Sequence, residues 1–298
     1  MINKFFNYVN KNFGRYLFNC PNRLYYNIFN KLHLNFIARK RIEDKNIKEY
    51  LEKGFFKTRI KSVELCKFIS SELQKQKIQP ENFRFVFRIT DEMKNEIKKH
   101  INNEFKIVLK SLERFYNSKI VVSQIFITRN FHINSSEKKE FYSNNYHVDA
   151  SVYNHFKVFL NLMDVDVDQG PLNFYSKKDT KKFVKTNNYK NRSNYINREL
   201  NDCLINNTGY IGDSILVNTT QCLHKAGVIK KGNHRDMLFI SFIAIPERVE
   251  NKDDFFYFDK KFPGEIWGEH GELNKIAKPK SFINTLKLFF MYYKNKLN

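Results

Sequence analysis

Near residue 120 the sequence changes its period, and this change restricts the possible folds more than any other feature. Before it, apolar residues recur three and four apart. Ile47, Tyr50 and Leu51 lead to Gly54, and Leu65, Phe68, Ile69 and Leu73 share a face after Ser62. Met93, Ile97, Ile101, Phe105, Val108 and Leu109 then form one stripe behind the capping run Thr90-Asp91-Glu92. Residues 44–118 are therefore expected to be helical support. After it, VVSQIFITRNFHI (121–133), HFKVFLNLMDV (155–165), GYIGDSILVN (209–218) and MLFISFIAIP (237–246) are rich in β-branched and aromatic residues. Short runs of this kind with turn signals between them predict an antiparallel sandwich or barrel. The expected class is mainly β with flanking helices.

The 298 residues suffice for one large domain with a substantial core, and we read 1–298 as a single domain. Its core is placed at 119–248. Residues 177–208 are polar and basic without a clear pattern, so they read as a long insertion, a candidate lid. Residues 1–43 form a basic arm: eight Lys or Arg and no acid occur in 1–42, with Phe and Tyr interleaved. Such an arm either touches a membrane surface or nucleic acid, or wraps over its own domain. Within the C-terminal segment 249–298, residues 281–296 read as a basic amphipathic helix. Ile283, Leu286, Phe289, Phe290 and Tyr293 lie on its apolar side, suited to docking on the domain or contacting an anionic membrane.

The net charge of +21 invites a polyanionic partner, although heavy use of Lys, Asn, Ile and Phe is also a compositional bias. No nucleic-acid module is recognisable, so a nucleic-acid partner is not expected. Cys20, Cys66, Cys203 and Cys222 are far apart and include no CxxC pair, which argues against a zinc knuckle or a disulfide framework. No stretch reaches the length of a membrane span, and residues 1–18 form no continuous apolar run. A cytoplasmic location is expected.

The chemistry is expected at His147-Val148-Asp149, just before a strand. In extended chain, residues i and i+2 point to the same side, so both side chains can reach one ion. His224, after the strand SILVN and the turn TTQCL, is the best third ligand. Two imidazoles and a carboxylate on one face of an octahedron leave three positions open. These suit a bidentate oxo acid and dioxygen, the chemistry of non-haem iron oxygenases. A second HxD, His234-Arg235-Asp236, is expected to be a bystander as a metal motif. Arg235 begins the strand after His224, and its planar fork suits a remote carboxylate.

HVDASVYNHFKVFLNLMDVDVDQGPLNFYS and GDSILVNTTQCLHKAGVIKKGNHRDMLFISF resemble the two halves of the core of phytanoyl-CoA dioxygenase-like proteins. The resemblance spans about residues 120–246, and the phrase EKGFF (52–56) also fits. It implies a double-stranded β-helix, a cupin-like jelly roll, and an Fe(II)- and 2-oxoglutarate-dependent dioxygenase that hydroxylates a C–H bond of a small molecule. It implies iron on His147, Asp149 and His224, and the far carboxylate of 2-oxoglutarate on Arg235. Lys157 stands where one branch of the family is often basic, which makes it a second co-substrate candidate. Tyr175-Ser176-Lys177-Lys178 and Ala226 depart from the family's pattern, the first in a local loop and the second at one co-substrate contact. The alternative is a non-catalytic jelly-roll protein that binds an anionic membrane or nucleic acid through its basic surface.

Other residues read as structural. Asp164, Asp166 and Asp168 lack the spacing of a calcium loop and suit a turn, as does Asp213. His132, His155 and His270 read as ordinary.

Overall fold

The computed structural model describes residues 45–58, 60–78, 83–116, 119–132, 143–149, 155–187, 200–245, 254–261 and 263–268. The basic arm and the 281–296 helix fall outside these residues. Helix α1 (Lys45–Lys53) leads into strand β1 (Phe55–Lys57). Helix α2 (Val63–Gln74) precedes β2 (Arg84–Phe87), and α3 (Asp91–Asn103) and α4 (Lys106–Tyr116) follow. Then come β3 (Lys119–Phe131), β4 (His155–Asn161), β5 (Leu172–Phe174), α5 (Lys177–Thr186), β6 (Ile205–Asn206), β7 (Ser214–Val217), β8 (His224–Ala226), β9 (His234–Ile245) and α6 (Tyr257–Lys261).

The strands form two antiparallel sheets. The larger runs β1-β7-β4-β9-β3-β2 and the smaller β6-β5-β8. Alternation along the larger sheet sends its side chains to two different cores. Phe156, Val158, Leu160, Leu216, Leu238, Ile240 and Phe242 pack with Ile69, Ile97, Ile101 and Leu109 of the helices. Phe159, Ile215, Val217, Met237 and Phe239 face the other way and pack with Leu172 and Phe174 of the smaller sheet. The chain therefore has a helix-backed outer layer and an inter-sheet interior.

The helical region differs from expectation in two ways. It yields β1 and β2, which extend the two edges of the larger sheet by pairing with β7 and β3. The single apolar stripe from Met93 to Leu109 breaks at Glu104-Phe105 into α3 and α4. Thr90 caps α3, its side chain accepting from the Met93 N–H at 3.3 Å. Gly54 makes the turn from α1 to β1. Its φ of 87° favours glycine, and a Cβ there would meet Cys222 Sγ at 2.5 Å.

Parts of 177–208, which show no clear pattern in the sequence, have regular structure. Residues 177–186 are helix α5, whose cap Ser176 accepts from the Asp179 N–H at 3.1 Å. Phe183 is fully buried against Tyr146 and Tyr175. One large apolar residue on a short basic helix is too weak a period to register in the sequence. Residues 205–206 form β6 in the smaller sheet. Among the described residues, Cys66, Cys203 and Cys222 carry free thiols. Among the described residues, no helix is long and apolar enough to cross a membrane.

Candidate metal centre

His147 and His224 meet as cross-strand neighbours. Each backbone N–H donates to the other's carbonyl at 2.9 Å, in an antiparallel bridge at the end of the smaller sheet. Two positions later the Asp149 N–H donates to the Thr219 carbonyl at 2.8 Å, which fixes the HxD segment against the turn that leads to His224. That turn is itself held. The Asn218 N–H donates to the Gly54 carbonyl at 2.7 Å, and the Leu223 N–H donates to Thr180 Oγ1 at 2.9 Å. The EKGFF phrase and α5 thus buttress the second histidine, a role not evident in the sequence. Behind the bridge, Tyr146, Val148, Tyr175, Phe183 and Leu223 form a small apolar core.

The imidazole tautomers follow from their partners. His147 Nδ1 lies 2.8 Å from the Asn145 carbonyl and His224 Nδ1 lies 3.0 Å from the Cys222 carbonyl. A carbonyl can only accept, so each Nδ1 carries the hydrogen and each Nε2 presents a lone pair. Both Nε2 atoms turn toward Asp149 Oδ1, at 3.9 and 3.8 Å. These separations are too long for hydrogen bonds and short enough to be bridged by two ligand bonds of roughly 2.1 Å. His147, Asp149 and His224 offer ligand atoms that all lie within 4.8 Å of one another. Both histidines are buried, and Asp149 is partly covered.

Asp149 Oδ2 faces elsewhere. Lys157 Nζ lies 2.8 Å from it, reaching in from the interior face of β4. Burial alone would push the Asp149 carboxyl up. The Lys157 ammonium, with His224, His147 and His155 around it, outweighs burial and holds the carboxyl well below the usual carboxylate range. His155, expected to be ordinary, is buried on the same strand face as Lys157, with its Nδ1 3.4 Å from Thr219 Oγ1. Two-residue spacing from Lys157 was the signal that could have found it.

Arg235 sits on β9 opposite Asn130 of β3, on the interior face shared with Met237 and Phe239, and is 2% exposed. Ser241, the β9 neighbour of Lys157, is six residues further along, roughly 20 Å of extended chain. Arg235 therefore lies deeper in the inter-sheet interior and Lys157 at the triad. Arg84, on the edge strand β2, lies on the other side of Asn130, its Nε donating to Asn130 Oδ1 at 3.0 Å. Two guanidinium-bearing residues thus flank Asn130, and the sequence had pointed to only one.

The second HxD serves a different purpose. Asp236 points to the helix-backed face and pairs with Arg129 through two bonds, 2.7 Å to Nε and 2.6 Å to Nη2. His234 Nε2 is 3.9 Å from the same carboxylate, with no third ligand grouped there among the described residues. Asp236→Ala is expected to strand the Arg129 charge and destabilise the fold by about 3 kcal/mol. The metal content should stay unchanged. Urea unfolding and metal analysis of the same sample check both. Loss of metal with an intact fold would place an ion at His234. Asp213 accepts from the Tyr210 N–H within its own turn, and Asp164 accepts from the Ile211 N–H of the same turn, far along the chain.

No family model matches the chain, and no curated protein matches it. Solved structures do. One is the non-heme alpha ketoglutarate dependent epimerase SnoN from nogalamycin biosynthesis, with 12% identity, 72% of this chain and 84% of that chain covered, and a TM-score of 0.46. HygX from Streptomyces hygroscopicus, with nickel and 2-oxoglutarate bound, has 12% identity, 68% and 88% coverage, and a TM-score of 0.45. The non-heme monooxygenase ThoJ has 12% identity, 83% and 98% coverage, and a TM-score of 0.46. Likenesses this distant assign no residue a role.

Proposed function

We propose that the protein is an Fe(II)- and 2-oxoglutarate-dependent oxygenase that hydroxylates a C–H bond of a small molecule. Its metal ligands are His147, Asp149 and His224. One observation carries this reading: two imidazoles with fixed tautomers aim their Nε2 lone pairs at one oxygen of a carboxylate. This donor set, two neutral nitrogens and one anionic oxygen, fits ferrous iron and leaves three positions for other ligands. A protein that bound polyanions through its basic surface alone would need neither the tautomers nor the partly covered Asp149 between them.

The fold reading goes with it. The order β7-β4-β9-β3 in one sheet, faced by β6-β5-β8 and then the His147 bridge, supports a double-stranded β-helix with its metal between the last two segments. Arg235, in the inter-sheet interior, is the proposed anchor for the remote carboxylate of 2-oxoglutarate, and Lys157 is the second candidate. With dioxygen as the oxidant, iron and the oxo acid bound together would supply the chemistry that turns C–H into C–OH: one oxygen atom would enter the product, the other would enter succinate, and carbon dioxide would leave. The chain's own residues set the conditions. The stacked rings of Phe126 and Phe239, with Phe159 edge-on, line the interior with apolar surface that excludes water.

Succinate release from 2-oxoglutarate, screened against a small-molecule library with Fe(II) present, tests the activity. Succinate that rises with a hydroxylated product is expected. Asp149 also bears on the outcome, because a carboxylate in the third protein position leaves no place for a halide beside the oxo acid and dioxygen. The products should therefore be hydroxylated and free of chlorine. Asp149→Gly should lose hydroxylation and gain weak halide binding. A chlorinated product from the unmodified protein would contradict the assignment.

A further inference from the structure

We propose that Lys157 is the positioning residue of the metal-ligand carboxylate, holding Asp149 Oδ2 so that only Oδ1 is left to the metal. This rests on the proposed metal centre and adds a role for a residue outside it.

The two oxygens of Asp149 have different surroundings. Oδ1 lies 3.9 and 3.8 Å from the imidazole nitrogens, and Oδ2 lies 2.8 Å from Lys157 Nζ. Lys157 stands on a central strand, between Val217 of β7 and Ser241 of β9. Its neighbour two residues along, Phe159, belongs to the inter-sheet apolar core. A lysine side chain 17% exposed there is costly to bury unless an anion compensates it. Asp149 is that anion, and the pair fixes the carboxylate's rotation.

Rotation matters because a carboxylate can bind a metal through one oxygen or two. With one, the protein supplies three donors and three positions of an octahedral ion stay open. With two, only two stay open, too few for a bidentate oxo acid and a third ligand. An ammonium paired by charge with the outer oxygen at 2.8 Å opposes the second mode, as partners of metal-ligating carboxylates generally fix their orientation. Lys157 thereby preserves the number of open positions.

Proton relaxation of water by Mn(II) bound to the protein reads how many waters the metal holds. In Lys157→Met the freed Oδ2 is expected to swing onto the metal. The relaxation enhancement should then drop by about a third, as three waters become two, while Mn(II) still binds. Lys157→Arg, which restores a cation beside Oδ2, should return it to the unmodified value. An unchanged enhancement in Lys157→Met would overturn the proposal. So would loss of Mn(II) from a Lys157→Met protein whose circular dichroism is normal, since Lys157 would then hold the site itself together. A normal enhancement with weakened 2-oxoglutarate binding would make Lys157 a co-substrate anchor instead. Failure of the unmodified protein to bind Mn(II) at all would remove the metal centre, a result distinct from any of these.

Discussion

His224→Ala is expected to leave the fold intact and abolish stoichiometric iron binding, and His147→Ala should do the same. The reasoning follows the backbone. The two histidines are joined by main-chain hydrogen bonds in both directions, and these do not depend on the imidazoles. Truncation therefore spares the bridge and deletes one Nε2. The remaining pair, one imidazole and Asp149, would hold an ion far more weakly. Removing a residue that merely orients a ligand typically lowers metal affinity about 10- to 100-fold, so losing a ligand should cost at least about 100-fold. Iron content after Fe(II) loading and desalting, with circular dichroism as the fold control, decides the matter. Variants that both retain one iron per chain would show that the ligands have been misassigned.

Arg235→Ala is expected to raise the dissociation constant for 2-oxoglutarate about 100-fold or more while leaving metal affinity within a few-fold of the unmodified value. Arg235 is 2% exposed, on the interior face of β9. A carboxylate that enters that interior has lost its water and needs a charged partner. Removing one partner of a buried ion pair costs about 3–5 kcal/mol, and each 1.4 kcal/mol is about tenfold in affinity. Calorimetric titration of the iron-loaded or manganese-loaded protein with 2-oxoglutarate measures it. Unchanged affinity would move the anchor to another cation, first Lys157 and then Arg84.

The sequence showed most clearly those features that repeat or are chemically distinctive. The four long extended runs announced the larger sheet's central strands because each buries both faces or alternates strictly. The HxD pair and His224 were visible because two-residue spacing in extended chain brings side chains to one side, and the structure groups these three. What stayed hidden depends on distant pairing. β1 is three residues and β2 four, and each is a strand only because β7 or β3 lies alongside. The same is true of β6, two residues that pair with β5. The break between α3 and α4 leaves the apolar stripe continuous, so periodicity alone could not locate it. The contact of Lys157 with Asp149 joins a strand of the larger sheet to the HxD segment, and only the fold brings them together. His234-Arg235-Asp236 shows the converse. Its spacing matches the first HxD, but its strand turns Asp236 outward to Arg129 and Arg235 inward, so similar residues do different work.

The most direct test of the proposed centre is an anaerobic optical titration. Fe(II) is added to the protein to equivalence, and 2-oxoglutarate is then added in steps. An oxo acid that chelates ferrous iron through its carboxylate and keto oxygens gives a weak visible charge-transfer band. The expected result is a band that saturates at one 2-oxoglutarate per chain, and that is absent from His224→Ala and His147→Ala. A folded, iron-loaded protein that shows no band at saturating 2-oxoglutarate would contradict the assignment, as would a band that persists in both variants.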